Sequence, residues 1–347
     1  MRSLLVAAGA CALLWGVERG LASRAPISSA ARHFAPLVES PPSAVTAFRL
    51  HPPGEAGAHL YRLEAGVWRV PTAFGAPALE PEVGALLADL LEARGQEVAR
   101  PERGSAYGLA REERWVVELF GPGTELDAEA AGLRLELGRS LPGVGGGRGF
   151  ARRGADGPVL ELDRDPRARL LLPEGERLPP LLDQRLLAGE WPARGQGIER
   201  AFVDHADGRA LELSSELLGP APGPGMPAPR RWFAREGERR SPCLPFRVAA
   251  WQAFLYRLPY RGLTDPTAAE RRGLDRPVAK LTLLQLDSEP VELVVGRSAE
   301  TGATFVLNSK TGLLCLVDRA EAELLLASLE GLCSSEIENP WEAWLPR

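Results

Sequence analysis

Two stretches of this chain are near copies of each other: LRLELGRS at 133–140 and VELVVGRS at 291–298. Each brings leucine or valine to alternate positions before a Gly-Arg-Ser ending, the period of a half-buried strand. A strand is stable only beside others, so an echo this far along the chain implies that the surroundings of the first copy recur around the second. The spacing is far longer than the short periods of solenoid repeats. A length of 347 residues suits two domains of roughly 150 residues each.

The flanking patterns repeat in the same order. In the first half, 45–50 and 59–63 alternate on either side of Pro52-Pro53-Gly54, and 67–70 adds a third run, which predicts a small antiparallel meander. Val83, Leu86, Leu87, Leu90 and Leu91 then stand at helical spacing, with Pro81 suited to the start and Gly95 to the stop. Strands follow at 115–120, 133–139, 148–152 and 159–162, and residues 178–187 read as a short helix with an apolar face that bridges the halves. The second half offers runs at 198–203 and 210–213, then Trp232-Phe233 in the place held by Trp68, and a helix over 246–258. Strands at 278–287, 291–297, 303–308 and 312–317 complete the pattern, and Asp318 with Glu321 opens a closing helix through Leu324, Leu325 and Leu329. Residues 219–229, GPAPGPGMPAP, form an extended, exposed loop that interrupts it. The expected fold is α+β: two tandem related units at 44–190 and 196–333, each mainly antiparallel strands with one or two amphipathic helices, after an N-terminal membrane helix. Each Gly-Arg-Ser closes its strand at a turn, with the arginine at the rim.

The N-terminus suggests an address. Residues 4–17, LLVAAGACALLWGV, form an apolar run behind Arg2, so 1–22 read as a membrane anchor or signal. The 14-residue run is shorter than the about 20 residues of a usual span, but Arg19 can snorkel and Leu21-Ala22 extend the apolar face. The small residues available for cleavage sit against Glu18, Arg19 and Arg24, which favours a retained anchor over a cleaved signal. Residues 23–43 lack a sustained period and end in Pro41-Pro42, as a stalk would. The address that follows is the inner membrane, single-pass, with the bulk of the chain periplasmic or otherwise extracytoplasmic.

The order of membrane segment, hairpin, Trp68-Arg69-Val70, the leucine-rich helix at 83–91, 135–139 ending in Leu-Gly-Arg, Phe150-Ala151-Arg152 and the 180–187 stretch with Asp183 and Arg185 resembles the bacterial domain-of-unknown-function family 4340. The likeness runs from about 45 to 329 and rests on packing and turn signatures. It implies a membrane-anchored tandem-repeat protein; some members of that family resemble companions of gliding-motility-type ABC transport systems. The implied partner is a protein of a membrane complex.

Residues that could carry chemistry are few. A net charge of -5 and a pI near 5.7 supply no field for nucleic acid. The four histidines, His33, His51, His59 and His205, lack the spacing of a metal motif. Asp204-His205-Ala206-Asp207-Gly208 resembles the start of a calcium loop, yet Ser215 stands where its bidentate Glu belongs, so a β-turn is the better reading. The GVGGGRG of 143–149 is followed by a strand-like segment, unlike a phosphate loop. Glu161, Asp163 and Asp165 read as a solvated face, and no nucleophile elbow is present. No catalytic, cofactor or metal residue is nominated, and no small-molecule ligand is identifiable.

Cysteines bear on structure instead. Cys11 lies in the apolar run, while Cys243, Cys315 and Cys333 belong to the second half, where export would permit a disulfide. A straight closing helix would hold Cys315 roughly 20 Å from Cys333, so Cys243 with either of them is the better pair, and three buried thiols is the alternative. Trp341 and Trp344 in the 334–347 tail are candidates for docking on the body, a partner or the membrane interface. The leading expectation is a non-catalytic accessory or scaffold protein of an envelope transport complex; an exported hydrolase or an envelope-glycan binding module is the alternative.

Overall fold

The computed structural model describes residues 34–334 except 40–43, 56, 125, 127–132, 142–146, 171–177, 189–196, 220–222, 224–228, 269–272, 286–288 and 299–301. The N-terminal apolar run, most of the glycine loop at 143–149, most of the proline-rich loop, Trp341 and Trp344 lie outside the described residues. Among the described residues no helix is long and apolar enough to cross a membrane.

Two antiparallel sheets with few helices make up the fold. The first comprises β1 (Ala35–Pro36), β2 (Ala47–His51), β3 (His59–Glu64), β4 (Val67–Val70), β5 (Ala76–Pro77), β6 (Arg94–Ala99), β7 (Trp115–Phe120), β8 (Leu133–Leu141), β9 (Arg148–Arg153) and β10 (Val159–Leu162), with helix α1 (Glu80–Glu92) between β5 and β6. Its spatial order is β5-β4-β3-β2-β7-β8-β9-β10-β6-β1. The second comprises β11 (Ile198–His205), β12 (Ala210–Leu217), β13 (Arg230–Glu236), β14 (Arg239–Pro242), helix α2 (Pro245–Arg257), β15 (Gly262–Thr264), β16 (Ala279–Gln285), β17 (Val291–Ser298), β18 (Ala303–Asn308) and β19 (Leu313–Asp318), closed by α3 (Arg319–Leu325) and α4 (Leu329–Cys333). Its order is β14-β13-β12-β11-β16-β17-β18-β19-β15, which corresponds strand for strand to the first sheet without β1.

The inner faces correspond as well. Leu50, Val117 and Leu135 stand side by side in the first sheet, as Val203, Leu281 and Leu293 do in the second. The next row holds Trp115, Leu137 and Ala151 in one and Ala279, Val295 and Val306 in the other. All twelve are buried. Alternation explains this: every second side chain points to one face, and burial of that face supplies the main hydrophobic driving force.

Each Gly-Arg-Ser stretch lies inside its strand. In β8 the pairing with β9 slips between Leu137 and Ser140, and in β17 the pairing with β18 slips between Val295 and Ser298. These are β-bulges with one extra residue, so the expected strand-ending turn is corrected. Gly138 is required because a Cβ there would lie 2.4 Å from the Tyr107 carbonyl oxygen. A left-handed glycine from the preceding crossing loop meets each bulge: a Cβ on Gly108 (φ 73°) would lie 2.6 Å from the Arg139 nitrogen, and one on Gly273 (φ 76°) 3.3 Å from Arg297 Cγ. Both arginines are exposed.

Several expected boundaries move. Helix α1 buries Val83, Leu86 and Leu90, but it ends at Glu92. Gly95 belongs to β6, where a Cβ would meet Leu160 Cβ at 2.8 Å, so close strand packing rather than a helix stop accounts for it. Within the stretch read as a stalk, Leu37 and Val38 are buried and β1 pairs with β6. The closing helix breaks at Leu326, because Ser328 caps a second helix by accepting from the Gly331 N–H at 3.0 Å.

The bridge at 178–187 is not a helix. It is a strap whose backbone bonds to both sheets' surroundings: Leu79 N–H donates to the Leu181 carbonyl at 2.8 Å, Asp183 N–H to Pro77 at 3.0 Å, and Leu186 N–H to Leu258 at 2.8 Å. The buried Tyr61 hydroxyl donates to the Pro180 carbonyl from one side, and that of Tyr260 to the Asp183 carbonyl at 2.9 Å from the other. Fully buried Asn308 donates to the Leu186 carbonyl at 3.2 Å. A helix would have used these groups internally; competing partners on both sides draw the strap out. The same hydrophobic core includes Leu178, Leu182, Leu186 and Leu187 with apolar residues of both sheets.

Gly138→Ala is expected to lower stability by about 2–3 kcal/mol, since backbone must shift to admit the methyl. Gly66→Ala, at a left-handed position with open space around it, is expected to cost about 1 kcal/mol. Urea midpoints of the two variants check the difference.

Candidate functional site

On the outer face of the first sheet, strand register lines up charges of opposite sign. Arg49, Glu118 and Arg134 are cross-strand neighbours on β2, β7 and β8, and Glu136 stands opposite Arg152 on β8 and β9. Glu118 is paired with Arg134 at 2.9 Å, Arg49 at 3.2 Å and His51 at 3.3 Å. Glu136 is fully buried and receives both Nε and a terminal nitrogen of Arg152 at 2.7 Å, with Arg114 at 3.1 Å and Arg134 at 3.6 Å.

The burial comes from the segment between β6 and β7. Its 3-10 turn, Pro101–Tyr107, and the residues after it lie over this face, where Leu109, Phe150 and Val159 form a small second core and Tyr107 meets Phe150 edge-on at 4.8 Å. Burial pushes the Glu118 carboxyl up, but the hydrogen bond from His51 and the charges of His51, Arg134 and Arg49 outweigh it, so the group titrates below its ordinary value. A carboxylate held in its charged form accepts hydrogen bonds and clamps cations; it is a poor proton donor. Ion pairs thus link neighbouring strands across this face.

The corresponding positions of the second sheet differ. Phe202, Thr282 and Glu292 stand where Arg49, Glu118 and Arg134 do, and Val294 and Leu307 replace Glu136 and Arg152. That face is more exposed, and its ion pairs, among them Lys280–Glu292 at 3.6 Å and Arg200–Glu212 at 2.5 Å, join exposed or half-exposed side chains.

The residues singled out from sequence are dispersed. His51 joins Glu118, while His59 sits half-buried on β3 with its imidazole held below the ordinary value by burial, partly opposed by Glu55. His205 flanks the β11–β12 turn, in which Gly208 (φ 88°) donates its N–H to the His205 carbonyl at 3.0 Å. Glu161 pairs with Arg148 at 2.9 Å, and Asp163 and Asp165 accept from the backbone of Arg94 at 3.0 Å and Arg167 at 3.1 Å. Among the described residues no group of three or more His, Cys, Asp or Glu could hold a metal ion. Cys243 and Cys333 are brought together, with sulfurs 3.4 Å apart, whereas Cys315 is buried in β19. Beside the charged face an open groove of about 670 Å³ is lined by Thr46, Arg62, Leu63, Gly121 and Thr124 among others.

The charged ladder escaped the sequence reading because β2 lies next to β7, a neighbour far along the chain. The available signal was a row of charges at outward positions of four alternating runs. No protein-family model, curated protein or solved structure matches the chain.

Arg152→Met leaves fully buried Glu136 with weaker partners and is expected to cost about 3–5 kcal/mol in urea unfolding. The stabilisation from Glu118 is complete above the ordinary carboxyl range and is lost as pH falls through its lowered value. Glu118→Gln should flatten that acid limb when unfolding midpoints are measured between about pH 5 and pH 2.

Proposed function

We propose that the protein is a non-catalytic accessory or scaffold, anchored by its N-terminus in the inner membrane with its body on the extracytoplasmic side, serving an ABC-type envelope transport complex. On this reading the two sheets are tandem related units. Their matching strand order, matching bulges and matching inner-face rows support descent from one duplicated unit. The resemblance to the domain-of-unknown-function family 4340 supports the accessory role.

The observation that carries the reading is where the buried polar groups go. Asn308, Tyr61 and Tyr260 donate to the strap between the sheets, and Glu136 and Arg152 hold the covering segment through Arg114 and the Pro101 carbonyl. Polar interior devoted to joining parts is what a rigid platform needs. The diverged outer faces then offer different surfaces on a common frame. Exposed Leu217 and Leu218, 62% and 56% accessible at the end of β12, and Phe246, 53% accessible on α2, are apolar groups available to a partner.

Cross-linking in cells, mild-detergent extraction and pull-down with mass spectrometry should recover a transporter permease with the full chain. Recovery of the bait alone would count against the scaffold. Protease added outside spheroplasts should digest the body; a soluble, protected product would overturn the address.

A further inference from the structure

Helix α4 carries Cys333 to Cys243, the residue between β14 and the approach to α2, and leaves their sulfurs 3.4 Å apart. Backbone hydrogen bonds fix both sides of this contact. Cys243 N–H donates to the Trp232 carbonyl at 2.9 Å, and Leu244 N–H donates to the Leu332 carbonyl at 3.0 Å. The buried Arg247 guanidinium donates to the Gly331 carbonyl at 2.9 Å. A disulfide bond is about 2.05 Å long, so closure asks the sulfurs to approach by about 1.4 Å.

We propose that Cys243 and Cys333 form a disulfide that ties α4 to the corner between β14 and α2, closing a loop across 90 positions. Cys315 stays a free thiol, buried in β19. The inference is independent of the scaffold role and applies in any oxidising compartment.

Cys333 is the attacking sulfur because it is half-exposed, whereas Cys243 is buried. The Cys333 thiol titrates below its ordinary value, chiefly because Cys243 hydrogen-bonds to its thiolate and also through the charges of Arg239 and Arg247; the same contact pushes Cys243 up. Burial pushes Cys315 up to about 12, which keeps it protonated and unreactive. The oxidant is a disulfide, either a small-molecule one such as oxidised glutathione or that of a protein dithiol-disulfide oxidoreductase. The Cys333 thiolate attacks one of its sulfurs, forming a mixed disulfide and expelling one thiolate. Cys243 then gives up its proton and attacks the Cys333 sulfur, expelling the second thiolate. Two electrons pass from the paired cysteines to the oxidant, which leaves as two thiols with the two protons.

The test uses the full chain in mild detergent, equilibrated with oxidised glutathione, quenched with acid, alkylated and digested for mass spectrometry. The expected product is a peptide pair joined through Cys243 and Cys333, two hydrogens lighter than its reduced parts, with Cys315 alkylated only after unfolding. Oxidation should raise Tm by roughly 5–10 °C in the parent protein and not in Cys333→Ser. A lasting glutathione adduct on Cys333 without the joined pair, or a joined pair through Cys315 or Cys11, overturns the proposal. Should Cys243→Ser fail to fold, the peptide mapping of the parent protein and the half-exposed Cys333→Ser variant still decide it. A pull-down that recovers only the bait leaves this result untouched, so the two readings fail separately.

Discussion

The strap at 178–187 is bonded to the surroundings of both sheets. An extended segment buried between two bodies carries an unpaired N–H and C=O at nearly every residue, and a buried unpaired group costs about 1–3 kcal/mol. Here donors and acceptors arrive from both sides: Pro77 and Leu79 from the first sheet's surroundings, and Leu258, Tyr260 and Asn308 from the second's. Leu181 at φ 60° shows that the strap accepts a strained backbone to meet them. Its leucines meanwhile enter the same core as residues of both sheets. Separating the halves would therefore expose apolar surface and orphan backbone groups together.

Strands with one buried face were legible in the sequence because alternation is local information. The runs around Val117, Leu135, Leu281 and Leu293 needed only a period of two, and α1 and α2 needed only their leucine and aromatic spacing. Features set by distant neighbours were not legible. β6, with the sequence RGQEVA, has no apolar alternation and is a strand because β10 and β1 pair with it. The strap reads as a helix because its apolar residues cluster, yet the hydrogen-bond partners that decide its shape lie on Tyr61, Tyr260 and Asn308. The meeting of Cys243 with Cys333 turns on the break at Leu326, which the continuous leucine pattern conceals.

The outer faces of the two sheets differ although their strand orders match. Inner-face residues stay apolar in both sheets because the packed core tolerates little else. The outer face has no such constraint, and in the first sheet it bears a covered set of arginines and glutamates. Buried ion pairs contribute little net stability against apolar substitutes, but they strongly disfavour alternatives that leave one charge unpaired. Such a set specifies where the Pro101–Tyr107 segment must sit. The second sheet, with Phe202, Val294 and Leu307 in the matching places, makes no such demand.

The bulge in β8 has a consequence for side-chain phase. Leu135 and Leu137 face the main core, and simple alternation would send Leu141 to the same side. Instead Leu141 packs with Leu109, Phe150 and Val159 on the opposite face. The one inserted residue shifts the alternation by half a period, so a single strand feeds two cores on two sides of one sheet. Arg139 is thus a spacer as much as a side chain: remove one residue there, and Leu141 changes allegiance from one layer to the other.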